Sequence, residues 1–156
     1  MPAQQSRSRK LGDFLSRDSQ VDEQRASLEA LNKLLSECSF VEPYAFRALS
    51  CGAGECELLL PYRTVLDRPG GSVNGPALMA AADVAMWLAI KTVRGIDDPS
   101  VTASMSTQFL KSSQREPFLC TATVMSWGRR TMFGTAECVS ASGERLAFHT
   151  LTYVTP

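Results

Sequence analysis

Between Ala77 and Ile90 every residue is apolar except Asp83. A run with no polar face predicts a helix buried on all sides rather than along one stripe. Pro76 suits a first helical turn, where its missing N–H would have no partner, and Asn74 or Gly75 supplies the cap. Lys91 and Arg94 fall where the C-terminal end of the dipole favours cations, and Gly95 closes the helix. Upstream, Val21, Leu28, Leu31, Leu35 and Cys38 recur at helical spacing after Ser19, with Glu23, Arg25, Glu29 and Lys33 on the other face. That predicts an amphipathic helix over 19–38, stopped by Pro43. The segments 45–51 and 55–61 flank Gly52-Ala53-Gly54 and read as a hairpin. After the turn Asp97-Asp98-Pro99, the segments 101–110, 118–127, 131–139 and 145–154 are rich in Thr, Val, Phe and Tyr. They are divided by Gly128-Arg129 and Ser142-Gly143, the pattern of consecutive hairpins.

One buried helix beside about six antiparallel strands is an α+β arrangement in which the sheet wraps around the helix. Residues 1–18 are polar and rich in Ser and Arg, with little to bury, so a mobile tail is expected before one domain over 19–156. A single sheet encloses only part of a helix that is apolar all round. A second copy of the chain is the natural source of the remaining cover, giving a homodimer or a tetramer built from two dimers.

Composition narrows the class. The 156 residues are 44% hydrophobic and 21% charged with a formal net charge of +0, which argues against a nucleic-acid binder. Five cysteines include no C-x-x-C pair and stand with a single histidine, His149, so no zinc pattern forms. Reduced thiols in a cytoplasmic protein are the simpler expectation. The apolar run is too short for a membrane span and carries Asp83. Arg7, Arg9, Lys10 and the neighbouring serines are faintly like an organelle transit sequence, but the N-terminus has no apolar signal-peptide core.

The candidate chemistry lies at the central helix. A carboxylate in an apolar helix is costly unless it is paired or used. The free N–H groups near Gly75, with the helix dipole, suit an oxygen that carries negative charge.

These features resemble the hotdog-fold acyl-CoA thioesterases, specifically the phenylacetyl-CoA (PaaI-like) thioesterase family. The matching segments are Pro43-Tyr44, Arg68-x-Gly70-Gly71, Asn74-Gly75-Pro76-Ala77-Leu78-Met79, Ala82-Asp83-Val84-Ala85, Gln108-Phe109-Leu110 and Trp127-Gly128-Arg129-Arg130, spread over about Phe40 to Pro156. The family commonly enters its helix with His-Gly-Gly and an acid nine residues after the His. Here Asn74 takes the His place, Gly75 and Pro76 follow, and Asp83 falls at the acid. The resemblance implies hydrolysis of an acyl-CoA thioester without a metal or redox cofactor. The Gly75 N–H would polarise the carbonyl, Asn74 would help orient it, and Asp83 would act as nucleophile or as general base on water. It also implies an assisting hydroxyl at Thr102 and CoA contacts at Arg129 and Arg130.

Each residue has a plainer structural meaning. Asp83 is then a bonded structural carboxylate, Asn74 a helix cap, Thr102 a strand former, and Arg129 and Arg130 a solvated turn. His149 reads as a core or interface residue. Two other functions compete: an acyl-CoA-binding or assembly module without turnover, and hydratase chemistry, which would want a His facing the substrate.

Overall fold

The structure is a computed structural model that describes residues 26–156; the expected tail and the expected start of the first helix at Ser19 lie outside the described residues. Helix α1 spans Leu28–Glu37, capped by the Ser27 hydroxyl, which accepts from the Ala30 N–H at 3.1 Å. The helix expected to end at Cys38 ends at Glu37 with Cys38 as its C-cap, and Pro43 lies beyond it, inside a 3-10 turn, Ser39–Tyr44. Proline blocks a helical hydrogen bond only from its own position backward, so it set an outer limit that the chain does not reach.

Strands β1 (Arg47–Gly52) and β2 (Glu55–Leu60) form the expected hairpin. Its turn is the two residues Ala53-Gly54, both at positive φ (52° and 85°), the geometry that matches strand twist. A 3-10 turn, Thr64–Leu66, and a two-residue ladder of β3 (Asp67–Arg68) and β4 (Ser72–Val73) lead to α2, Gly75–Arg94. Then follow β5 (Val101–Phe109), β6 (Phe118–Trp127), β7 (Thr131–Ser140) and β8 (Arg145–Val154). The six-stranded sheet has the order β1-β2-β6-β7-β8-β5 with every pair antiparallel. This is the hotdog arrangement, a sheet wrapped around one long helix with an additional N-terminal helix.

The core lies between α2 and the inward face of the sheet, where Leu58, Leu60, Phe118, Cys120, Met132, Leu151 and Tyr153 meet Leu78, Ala82, Ala85, Met86 and Leu88. The helix can approach β7 closely because Gly134 has no Cβ; one there would collide with Met86 and the Thr123 carbonyl. By length and composition α2 could cross a membrane, but most of it is buried inside the fold, which makes it a core helix.

One expectation holds and one is corrected: as a single sheet implies, one chain does not bury α2 on every side, and Pro76, Met79, Ala80, Asp83 and Trp87 form a stripe that the sheet leaves open, with Asp83 half-buried within it. The sheet covers only the opposite side of the cylinder. Nor are all cysteines reduced: Cys51 and Cys56 face each other across the β1–β2 ladder, with Cα atoms 4.1 Å apart, and are joined as a disulfide. Their C-x4-C spacing across a two-residue turn makes them cross-strand partners. Cys38, Cys120 and Cys138 are free thiols.

The two edges of the sheet differ. At β1 the Asn32 side chain of α1 accepts from the Ala48 N–H and donates to the Ala48 carbonyl, both at 3.0 Å, imitating a further strand. At β5 no described segment pairs with the outer edge, and Val101 (50%), Phe109 (54%) and, just beyond, Leu110 (55%) are exposed.

Candidate active site

The polar loop before α2 is locked by Asn74. Its Oδ1 caps the helix by accepting from the Ala77 N–H at 2.8 Å, and its Nδ2 donates to the Leu66 carbonyl at 2.7 Å. The Asn74 backbone N–H donates to the same carbonyl at 2.8 Å. The cap is therefore as expected, and one amide hydrogen remains for a ligand. The Gly75 N–H donates to no protein acceptor among the described residues. It opens on a cavity of about 460 Å³ lined also by Arg68, Leu78, Phe109, Lys111 and Ser113. Phe109 lies so close that a Cβ on Gly75 would stand 3.1 Å from its ring.

Asp83, two turns further along α2, opens on a different recess of about 280 Å³ with Phe40, Val84, Trp87, Val101, Thr102 and Tyr153. Two hydroxyls converge on one carboxylate oxygen: Thr102 Oγ1 and the Tyr153 phenol each lie 2.6 Å from Asp83 Oδ1. The phenol also lies 2.8 Å from the Asp83 carbonyl. Thr102 comes from β5 at a register shift between Thr102 and Ser104, and such a bulge re-aims a side chain out of the regular pleat. Tyr153 comes from β8 and is 2% exposed. Burial first, then the neighbouring Asp83 charge, raises the pKa of the phenol well above its ordinary value, so it stays protonated and donates. Asp83 Oδ2 has no protein donor among the described residues.

The sequence-derived residues thus fall into three groups. Asp83 and Thr102 meet directly at one recess; Gly75 lines the other, with Asn74 next to it as the helix cap. Arg129 and Arg130 join neither recess. Their hairpin is fastened to the C-terminal end of α2, where Arg94 donates to the Gly128 carbonyl at 2.6 Å and to Thr155 Oγ1 at 3.0 Å. His149 is fully buried, bonded through Nδ1 to Thr107 Oγ1 at 2.9 Å, with Nε2 3.6 Å from Cys138 Sγ. It faces neither recess. Tyr153, and the cations Arg68 and Lys111 beside Gly75, were not anticipated from the sequence.

The thioesterase superfamily pattern matches residues 70–147, half of the 156-residue chain and the part that holds Asn74, Gly75, Asp83 and Thr102. The chain belongs to the thioesterase superfamily, which places its chemistry in the class of thioester hydrolysis. It is 29% identical over 116 residues to a protein of Thermoplasma volcanium named as an esterase, covering 74% of this chain and 85% of that one. A conserved protein of Pseudomonas aeruginosa superposes with a TM-score of 0.72 at 28% identity, covering 76% of this chain and 94% of that one. A mutant of the phenylacetic acid degradation protein PaaI from Thermus thermophilus superposes with a TM-score of 0.69 at 25% identity, covering 76% and 100%.

Proposed function

We propose that the protein hydrolyses an acyl-CoA thioester to the free acid and CoA, in sites that each use two chains. The observation that carries the reading is the separation of the two reactive ends of α2. Gly75 and Asp83 are eight residues apart on one helix, which is about 12 Å along the axis and roughly 80° around it. A thioester carbon that must lie about 3–3.5 Å from its attacking oxygen cannot reach both. A second copy, paired along the open β5 edge and covering the open stripe of α2, supplies the missing half. The apolar residues at that edge, and the contrast with the blocked β1 edge, favour this pairing.

In this reading the thioester carbonyl oxygen rests against the Gly75 N–H of one subunit. The donor stabilises the charge that grows on that oxygen as the carbon becomes tetrahedral. Asp83 Oδ2 of the partner either attacks the carbon or removes a proton from the attacking water, and Thr102 and Tyr153 hold Oδ1 so that Oδ2 is presented. If Asp83 attacks, the C–S bond breaks and water then cleaves the acyl–Asp83 anhydride; if Asp83 acts as base, water adds directly. In either case the proton given up by water ends on the sulfur, and CoA leaves as its thiol. A turnover screen over acyl-CoA esters, with released thiol detected, tests the proposal. Steady thiol release from at least one ester is expected; tight binding of CoA esters without release would make the protein a binding module instead.

A further inference from the structure

Two aromatic rings, Phe40 and Trp87, line the recess beside Asp83, and we infer that they set the length of the acyl chain that the site accepts. The inference rests on the proposed hydrolase reading, because it is the attack by Asp83 that places the acyl group in this recess. A carbonyl carbon within reach of Asp83 Oδ2 carries its acyl chain into the adjoining space, and the recess that Asp83 lines is walled by Val84, Trp87, Val101 and Phe40. Apolar cavities of about 150 Å³ take up a benzene molecule. A recess of about 280 Å³ therefore has room for a compact acyl group, and a longer chain would run against the Phe40 and Trp87 rings that line it.

The two rings differ in how firmly they stay. Trp87 follows Asp83 by one helical turn and touches two neighbours. Phe40 tilts against it with ring centroids 6.1 Å apart, and the Lys91 ammonium lies 5.0 Å from its ring centroid. That ammonium is anchored by the Ile96 carbonyl at 2.6 Å and the Asp98 carbonyl at 3.0 Å, and Lys91 is only 4% exposed. A cation held against an indole face resists rotation of the ring. Phe40, by contrast, is 64% exposed. It is placed by the 3-10 turn in which Val41 is buried and whose Glu42 and Pro43 carbonyls both accept from Arg63 at 2.8 Å. Trp87 is thus the fixed part of the wall and Phe40 the part that can be removed without opening the core.

The test compares wild type, Phe40→Ala, Trp87→Leu and Trp87→Ala on straight-chain CoA esters from butanoyl to hexadecanoyl. Each methylene newly taken up by an apolar site is worth about fourfold. The ratio of kcat/KM for decanoyl-CoA to that for butanoyl-CoA is therefore expected to rise about tenfold or more in Phe40→Ala and in a folded Trp87 variant. A ratio that stays within about twofold of wild type in Phe40→Ala overturns the inference. So does a change in sedimentation without a change in the ratio, which would make the rings part of a contact between chains. If wild type cleaves no ester, the hydrolase reading fails while the wall remains testable. The same length series of non-cleavable S-alkyl-CoA thioethers, titrated by calorimetry, should then show tighter binding of the long members to Phe40→Ala. Equal binding of all lengths to both proteins, or no binding, overturns it.

Discussion

The phenol of Tyr153 lies 2.6 Å from the Asp83 carboxylate across 70 residues of chain, joining the last strand to the middle of the central helix. Thr102 meets the same oxygen from the edge strand. A carboxylate on a helix has free χ rotation unless neighbours fix it, and two short donors on Oδ1 leave Oδ2 facing the recess. The Tyr153→Phe variant keeps the buried ring and removes only the donor. A hydrogen bond to a charged group is worth about 1.5–3 kcal/mol, so kcat should fall about 10- to 100-fold while KM stays within about twofold. Steady-state kinetics beside a thermal melt separates the cases: lost stability with unchanged kcat would mean that the phenol supports the fold alone.

Asp83→Asn preserves shape and keeps an oxygen for the Thr102 and Tyr153 hydroxyls, but removes the nucleophile or base. Turnover should drop by several powers of ten with circular dichroism and oligomeric state unchanged. Turnover near that of wild type would make Asp83 a structural carboxylate held by its two hydroxyls.

Asn74→Ala should destabilise the protein in two ways, by the lost cap on Ala77 and the lost tie to the Leu66 carbonyl. The cap alone is worth about 1 kcal/mol, equivalent to a fall in Tm of about 2–4 °C in a chain of this size. Because the same amide shapes the approach to Gly75, kcat/KM should fall as well. A lowered Tm with full activity would confine Asn74 to capping.

Much of this was legible in the chain itself. The bounds of α2 followed from Asn74, Pro76 and Gly95, because capping chemistry is local; the strands after Val101 followed from β-branched runs between turn residues. What involved distant neighbours was not. Tyr153 gave one usable signal, its parity with His149 and Leu151, which turns all three inward on β8. A buried phenol needs a partner, and Asp83 was the unmatched polar group in the core helix. That one sheet would leave part of α2 open was legible from its all-round apolarity; which residues form the stripe was not, because an apolar sequence specifies what must be covered without specifying which element covers it. The Cys51–Cys56 pair was missed because linkage depends on register, and the turn proved to be Ala53-Gly54 rather than the three residues 52–54.

The arrangement of α2 makes its strongest prediction through two variants that are each inactive. Asp83→Ala removes the attacking group, and Gly75→Val blocks the carbonyl site. The added Cβ of the latter would stand 3.1 Å from the Phe109 ring, which is exposed enough to shift without disturbing the core. If the two residues serve one site across an interface, a mixed dimer has one site with both lesions and one with neither. With random pairing about half of the dimers are mixed and half of their sites are intact, so coexpression should restore roughly a quarter of wild-type activity per chain. Differential tags on the two chains establish that mixed dimers have formed. Mixed dimers without restored activity would mean that Gly75 and Asp83 do not act together across the interface. The separation of about 12 Å along one helix would then have to be bridged within a single chain, which the reach of a bond-forming contact forbids.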